Sequence, residues 1–532
     1  MFYGDNLDIL KRVPDESIDL IYLDPPFNSK ADYNVLFKEV SGEKSTAQKQ
    51  AFSDFWEWDS ATTRTYAYLT GNEVNNRVAT VAESLHQILG QSDMTAYLFM
   101  MTIRLTELHR VLKPTGSLWL HCDSTASHYL KVVLDAVFGV ENFRNEIIWK
   151  RFNFHADARR FGKVGDRILF YSKTKDYKFN RQWAPLKESY KASHFTHSDE
   201  RGKFTLDNLN PPAGRGPVYE FHGVKRAWRY TREKMLQLEK DGRIYTDSTI
   251  PRLKRYLEEI EAKGGAAVHE IWDDIPAVNS QAKERLGFQT QKPEALLERI
   301  IKAGSDKGDW VLDPFCGCGT AIEVSEKLNR HWVGIDITFL ALNIITDRMR
   351  HSFPRARFDT MGDPKDLESA RDLAKKDNGY PLQEWALMKI QARPIGSSSD
   401  PDHVKRGADK GVDGWMRFAD GDGNIHKIVI QVKGGHVGVS KIRELRDTVT
   451  RQNASMGIFI TLEEPTSEMI KEVKATDPFM HPTWQHEYPR LQILTVQDLL
   501  DGKMPDTPPT ISSFKEAPIA RRASRERNGT LF

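Results

Sequence analysis

The sequence predicts an α/β chain of more than one domain, built around a parallel sheet whose strands end in functional loops. Three observations carry this. The apolar run Ile18-Asp19-Leu20-Ile21-Tyr22-Leu23 stops at Asp24-Pro25-Pro26-Phe27. The run Trp310-Val311-Leu312 stops at Asp313-Pro314-Phe315-Cys316-Gly317-Cys318-Gly319-Thr320. Strand-like and helix-like patterns alternate around both. A short apolar run that ends in a Pro- or Gly-rich loop is what a buried parallel strand leaves in a sequence. In open α/β sheets, ligands sit beyond the carboxyl ends of such strands.

A chain of 532 residues is too long for one ordinary core, so two or three domains are expected. No stretch approaches 18 uninterrupted apolar residues, which argues against a membrane span. The segment Met1-Phe2-Tyr3-Gly4-Asp5 lacks the basic-then-apolar pattern of a secretory signal. Three cysteines, Cys122, Cys316 and Cys318, are too few for a disulfide framework or a zinc site and fit a reducing cytoplasm. A cytoplasmic location is therefore expected.

In order along the chain, a helix over about 105–112 runs into a turn at Lys113-Pro114-Thr115-Gly116. A strand over 117–121 and a helix over about 124–137 follow. Residues 40–95 are polar and less regular, which suggests an insertion at the active-site edge. From about 150 to 285 the βα rhythm gives way to loop signals such as Asn210-Pro211-Pro212-Ala213-Gly214-Arg215-Gly216-Pro217. It returns with a helix over 293–303, the strand 310–312, a helix over 320–328, a strand over 331–335 and a helix from Phe339. Residues 351–380 are polar and mark a boundary, and a third unit spans about 380–505. The tail after Pro508 has a basic balance and a composition that predicts disorder.

Net charge is only +2, but residues 144–181 hold eleven Lys/Arg against four acids, interleaved with aromatics from Trp149 to Phe179. Basic residues release phosphate counterions and aromatic faces stack on bases, so the stretch suits DNA contact; a solvated face over a small aromatic core is the alternative.

The first loop suits an amine on a ring. Asp24 can accept one hydrogen bond from an exocyclic NH₂. A carbonyl of Pro25 or Pro26 can accept the second, since proline brings no donor of its own. Accepting both draws the nitrogen lone pair out of ring conjugation, and Phe27 offers a face for stacking. A base must leave the duplex to enter such a loop, at a cost of roughly a few kcal/mol. In the second loop, Gly317 and Gly319 permit close backbone approach, while Asp313 and Thr320 supply polar contacts. Asp336, after His331-Trp332-Val333-Gly334-Ile335, stands where an acid takes ribose hydroxyls in dinucleotide folds. A nicotinamide-type fold would share the glycines but not the amine-holding loop.

Together these segments resemble the DNA amino-methyltransferases that use S-adenosylmethionine. Their order, catalytic loop first, resembles the permuted β class. The resemblance covers residues 1 to about 350 and extends to Gly4-Asp5-Asn6 and Thr290-Gln291-Lys292-Pro293. It also takes in Glu141-Asn142-Phe143 through Ile147-Ile148-Trp149-Lys150, which is similar to the start of the target-recognition region in type III modification subunits. It implies a Rossmann-like sheet in circularly permuted order with an inserted recognition region. It implies Asp24, Pro25, Pro26 and Phe27 as the catalytic loop. The implied cofactor-binding residues are Asp5, Lys292, Pro293, Asp313, Phe315, Gly317, Gly319, Thr320 and Asp336, with Asp5 at the adenine and Lys292-Pro293 at the methionine end. Cys318 stands where the family more often has serine. Aspartate at the head of the catalytic motif favours adenine N6 over cytosine N4. Double-stranded DNA is the implied substrate, and a homodimer or a separate restriction or motor subunit are partners the resemblance leaves open.

The third unit carries Lys410-Gly411-Val412-Asp413-Gly414-Trp415, then the strand Lys427-Ile428-Val429-Ile430-Gln431-Val432-Lys433. Alternation puts Gln431 and Lys433 on one face. Asp413 with a backbone carbonyl offers Mg²⁺ the oxygen ligands it prefers, and Lys433 can orient the attacking water at a phosphodiester. This resembles the Mrr-like restriction endonuclease domain of the PD-(D/E)xK superfamily, in a branch with Gln for the second acid. The resemblance implies Asp413, Gln431 and Lys433 as catalytic, Asp413 as a metal ligand, and Glu384, in a helix over 382–390, as the helix acid. An exposed lysine on an edge strand and a degenerate nuclease kept for DNA binding are the competing readings.

The expected organisation is a catalytic half (1–150), a recognition region (151–285), a cofactor-binding half (286–360), a linker (361–379), an α/β nuclease-like domain (380–508) and a basic tail (509–532). The expected function is restriction–modification: adenine methylation and Mg²⁺-dependent cleavage on one chain. The alternative is a modification enzyme whose last domain only binds DNA or a partner.

Overall fold

The computed structural model describes residues 1–26, 58–71, 74–152, 159, 161–212, 215–279, 282, 284–285, 291–376, 379–394, 412–421 and 423–510. Phe27, Thr290, Arg160, Lys410 and the basic tail beyond residue 510 lie outside them.

Eight strands form the main sheet, in the order Phe2–Tyr3, His331–Asp336, Trp310–Asp313, Ile18–Leu23, Leu112–Cys122, Gly165–Ser172, Phe143–Lys150, Ile271–Trp272. Every pairing is parallel except the two made by Gly165–Ser172, which is antiparallel to both neighbours. Ile18–Leu23 is buried at all six positions, as expected of a central strand covered on both faces. Its one acid is satisfied. Asp19 Oδ2 accepts from Lys113 Nζ at 2.7 Å and from the Trp310 N–H at 2.9 Å, which ties three neighbouring strands together.

The helices Asp93–Val111, Ser127–Phe138, Glu294–Gly304, Thr320–Lys327 and Phe339–Ser352 correspond to those expected. The expected turn at 113–116 is instead the first part of the strand Leu112–Cys122. A side chain at Gly116 would meet the Asp19 carbonyl at 2.9 Å, so glycine lets the two backbones pass rather than turning one of them. Within 40–95, the described part holds the helices Ser60–Leu69 and Asn76–Leu89, which contribute Leu69, Val78, Ala82 and Leu85 to the main core. No helix among the described residues is long and apolar enough to cross a membrane.

Gly165–Ser172 and Ile271–Trp272 belong to the main sheet, and the compact unit between them is Asn180–His269. That unit has a four-stranded antiparallel sheet, the hairpin Val218–Phe221/Val224–Ala227, and a core of Leu209, Phe221, Trp228, Met235, Leu238, Ile244 and Leu253. The expected linker holds the helix Leu367–Lys375, opened by a capping box between Asp366 and Ser369, whose Ala370 and Leu373 are buried.

The basic stretch is also less free than its composition suggests. Trp149, Phe170 and Tyr171 are core residues. Arg144 lies 4.4 Å from the centre of the Tyr177 ring, and Arg151 pairs with buried Asp166. Arg159 and Phe161 are exposed.

The C-terminal sheet has the order Arg393–Pro394, Gly414–Ala419, Ile425–Lys433, Met456–Thr461, Leu491–Thr495. The first two pairings are antiparallel and the last two parallel. Phe339 is buried in the same apolar cluster as Leu382, Trp385, Phe418 and Ile430, so the C-terminal core grips the first turn of a helix from the main sheet.

Candidate functional site

The carboxyl edge of the main sheet gathers three acids that are far apart in sequence. Asp24 follows the strand Ile18–Leu23, Asp313 ends Trp310–Asp313, and Asp336 ends His331–Asp336. Asp24 and Lys292 form an ion pair through Oδ2, with both side chains largely buried. The other carboxylate oxygen, Oδ1, is buried and has no hydrogen-bond partner among the described residues. Pro25 is buried beside it, and Pro293 occupies the N-cap of the helix Glu294–Gly304, where a missing N–H costs nothing.

Asp313 Oδ1 accepts the Phe315 N–H at 3.0 Å. Burial, with the charges of Asp24 and Asp336, holds its carboxyl well above the usual range. Asp336 Oδ2 accepts the Gly317 N–H at 2.9 Å, while Oδ1 accepts the N–H and hydroxyl of Thr338. Burial pushes Asp336 up to about 6 against these bonds. Gly317 and Gly319 have φ of +48° and +75°, the left-handed region that glycine tolerates. A Cβ at Gly319 would lie 2.6 Å from Ile345 Cγ1.

Residues that the sequence did not single out brace this loop. Buried Arg348 donates to the Cys318 carbonyl at 3.2 Å and to Thr320 Oγ1 at 3.3 Å, and is ion-paired with buried Glu323. Asn6 Nδ2 donates to the Pro314 carbonyl at 2.8 Å, and Arg104 Nε in turn donates to Asn6 Oδ1 at 2.6 Å. Asp5 caps the helix Asn6–Leu10 by accepting the Leu7 N–H, and it pairs with Arg104 at 2.6 Å. The segment Gly4-Asp5-Asn6 pointed to this corner. Nothing local to Arg104 or Arg348 could have, because each acts from a distant helix.

In the C-terminal domain, Asp413 Oδ2 accepts the Val432 N–H at 2.7 Å and Lys433 Nζ at 3.3 Å. Burial raises Asp413, and Lys433 opposes this. Gln431 is buried, and its Oε1 has no partner among the described residues. Of the expected trio, Asp413 and Lys433 are in contact, and Gln431 lies two residues before Lys433 on the same strand. Glu384 is not placed with it. In the helix Tyr380–Lys389 it is the neighbouring Gln383 that reaches the Asp413 carbonyl, at 3.5 Å. Glu384 accepts from the Tyr380 hydroxyl and the Phe339 N–H, near Asp336, and burial pushes it up to about 7. One residue of helical rotation, roughly 100°, sends the two side chains to different places. Among the described residues, no three His, Cys, Asp or Glu side chains cluster to hold a metal ion.

A protein-family model described as DNA methylase matches residues 18–347. A second, described as NACHT-associated inactive Restriction Endonuclease 1, matches residues 399–501. Among curated proteins, the type II methyltransferase M.EcaI of Enterobacter cloacae is 30% identical over 261 residues, 48% of this chain and 57% of its own length. The Mod subunit of the type III restriction-modification enzyme StyLTI of Salmonella typhimurium is 27% identical over 350 residues, 61% of this chain and 49% of its own. The chain thus spans about half the length of these relatives. The DNA adenine methyltransferase YhdJ of Escherichia coli is 25% identical over 339 residues, covering 63% and 78%. Among solved structures, the cytosine-N4-specific PvuII DNA methyltransferase aligns with a TM-score of 0.30 at 14% identity, over 65% of this chain and 83% of that one.

Proposed function

The chain belongs to the N6/N4 DNA methylase family, and we propose that it transfers a methyl group from S-adenosylmethionine to the N6 amine of an adenine flipped out of a specific DNA site. The observation that carries this is the half-satisfied carboxylate of Asp24: one oxygen is ion-paired with Lys292, and the other is buried with no hydrogen-bond partner among the described residues.

A buried acceptor without a donor costs free energy, roughly 1–3 kcal/mol, so a native site that keeps one is set up for a donor from outside. The target NH₂ is such a donor. Asp24 Oδ1 accepts one of its hydrogens, and a prolyl carbonyl at Pro25 or Pro26 accepts the other. The nitrogen lone pair then turns toward the donor side of the site. Lys292 holds Asp24 in orientation through the ion pair. S-adenosylmethionine, when bound, supplies an electrophilic methyl on a cationic sulfonium. In this reading Asp336 takes the ribose hydroxyls, and the Gly317–Gly319 loop, braced by Arg348, allows close backbone approach. Aspartate at position 24 and the likeness to an adenine-specific relative favour adenine over cytosine. The compact unit Asn180–His269 is the candidate for sequence recognition.

The C-terminal domain supports a second reading: Mg²⁺-dependent cleavage of DNA that lacks the mark. Its basis is the contact of Asp413 with Lys433 and the place of Gln431 two residues before Lys433 on one strand, with the Asp413 carboxylate and Gln431 Oε1, which has no partner among the described residues, as oxygen donors that would hold the ion. Mg²⁺, when bound, stabilises charge on the scissile phosphate. The likeness to a family described as inactive favours the competing reading, a module that binds DNA or a partner.

Incubating the full chain with DNA and labelled S-adenosylmethionine, then sequencing the methylated bases, tests the first reading. Incorporation at N6 of adenine in a defined site supports it, and no incorporation rejects it. The same chain on unmethylated plasmid with Mg²⁺ separates cleavage from binding alone.

A further inference from the structure

Glu384, expected as the helix acid of a nuclease, stands instead beside the strand end that carries Asp336. The helix Phe339–Ser352 starts three residues after Asp336, and the turn between them is held partly from within. Asp336 Oδ1 accepts the Thr338 N–H at 2.9 Å and its hydroxyl at 2.8 Å. Thr338 Oγ1 accepts the Ala341 N–H at 3.2 Å. The Phe339 N–H donates to Glu384, which lies on the helix Tyr380–Lys389 of the C-terminal domain. The Phe339 ring is fully buried in one apolar cluster with Leu382 and Trp385 from that helix. It also stacks on Tyr3, with 3.7 Å between ring centres and 15° between planes. Tyr3 pairs with Asp336 across the sheet, the Gly4 N–H donates to the Asp336 carbonyl at 3.0 Å, and Asp5 follows.

Two segments expected at the methyl donor, Gly4-Asp5 and the strand end at Asp336, thus meet at Phe339, and the C-terminal domain holds Phe339 by its ring and by its backbone. A helix leaves its first N–H groups without partners inside the helix. An oxygen that accepts one of them fixes how the chain enters the helix, as side-chain caps do. A carboxyl group does this in either protonation state, since a neutral carboxyl keeps an acceptor oxygen. Thr338 binds both the Asp336 carboxylate and the first turn of the helix, so a shift of Phe339 is passed to the carboxylate that takes the ribose hydroxyls in the reading above.

We propose that Glu384 is a positioning residue of the methyl-donor site: by holding the Phe339 N–H it fixes the turn from Asp336 to Phe339, and through it the C-terminal domain sets the affinity for S-adenosylmethionine. The proposal rests on the methyltransferase function above. It extends that function to a residue of the domain whose sequence pattern pointed to DNA cleavage, and it makes that domain a working part of the methyltransferase.

The test measures S-adenosylmethionine affinity by titration calorimetry, and KM and kcat for methyl transfer, in the full chain as wild type, Glu384→Ala, Glu384→Met and Glu384→Gln. Methionine keeps length and bulk but removes the acceptor oxygens, and it serves if Glu384→Ala does not fold. Glutamine keeps an acceptor oxygen at the same reach. Glu384→Ala and Glu384→Met are expected to weaken affinity and raise KM for the methyl donor roughly five- to fiftyfold, the range for one buried donor left without its acceptor. In both, kcat at saturating donor is expected to stay within about twofold of wild type, and Glu384→Gln is expected to keep affinity within about threefold. Hydrogen exchange of residues 336–345, measured without the donor, gives a readout independent of activity. It is expected to speed up in Glu384→Ala and Glu384→Met and to stay near wild type in Glu384→Gln. Wild-type affinity in Glu384→Ala and Glu384→Met overturns the proposal. A loss in Glu384→Gln as large as in Glu384→Ala, or a lower kcat at unchanged affinity, overturns it equally. If wild type binds no S-adenosylmethionine, the methyltransferase function fails and the proposal with it, while the exchange result still shows whether Glu384 holds the turn.

Discussion

Lys292 and Asp24, 268 residues apart, meet in one ion pair that engages a single oxygen of the carboxylate. Lys292 holds one oxygen, and in the proposed reaction the other accepts from the target amine. Asp24→Ala is expected to reduce methyl transfer by at least about a hundredfold, in line with the loss of one preorganised group at a reacting centre. Calorimetric affinity for S-adenosylmethionine should stay within error of wild type. Near-normal turnover would remove Asp24 from the centre.

Asp336→Ala should act on the donor instead. Asp336 titrates at about 6 in the folded chain, and its ionised form is the stronger acceptor for ribose hydroxyls. Affinity for S-adenosylmethionine should therefore fall as pH drops through that value in wild type, and should be weaker and flatter with pH in the variant. Titration calorimetry across this range checks it, and equal affinities would place Asp336 outside the site.

Glu384 makes a prediction about stability. Burial lifts it to about 7 from an ordinary value of 4.5, so the folded chain binds its proton more tightly than the unfolded chain does. Stability from this group is present at low pH and is lost as pH rises toward and through the folded value. Glu384→Gln removes the ionisable carboxyl. Its Tm relative to wild type should be higher at about pH 8 and should converge toward wild type near pH 5. A gap that does not change with pH would show that Glu384 is not raised.

Charge reversal at Arg159 and Arg160 should weaken DNA binding and lower the slope of log affinity against log salt by about 0.9 for each phosphate that the protein no longer neutralises. Arg159 is exposed, unlike much of the basic stretch around it. Binding isotherms at several salt concentrations decide the matter, and an unchanged slope would direct the search for the DNA surface to the unit Asn180–His269.

Lys433→Ala should abolish cleavage and leave methylation intact, since distant single changes act independently. Asp413→Ala should behave alike. A wild-type chain that shows no Mg²⁺-dependent cleavage on unmethylated, hemimethylated or methylated DNA would leave the C-terminal domain as a binding module.

What the sequence determined by itself is local. The apolar runs before Asp24 and Asp313, the glycines at positive φ, the acid at the end of the next strand, and the Asp413 and Gln431-Val432-Lys433 pattern all lie within a few residues of the strands that place them. Period-two burial and turn chemistry encode such features directly. Only the tertiary structure decided which groups meet. Three adjacent strands bring the side chains of Tyr22, His121 and Asp166 together. Packing of a distant helix brings Arg348 under the glycine loop. Because successive helical residues point about 100° apart, Gln383 rather than Glu384 reaches Asp413. The basic, aromatic stretch near Trp149 shows the same limit from the other side: composition suggested a surface, but two of its segments are sheet strands whose aromatics fill the core. Charge and hydropathy along a chain carry no record of which neighbour covers a side chain, and that depends on contacts between residues tens to hundreds of positions apart.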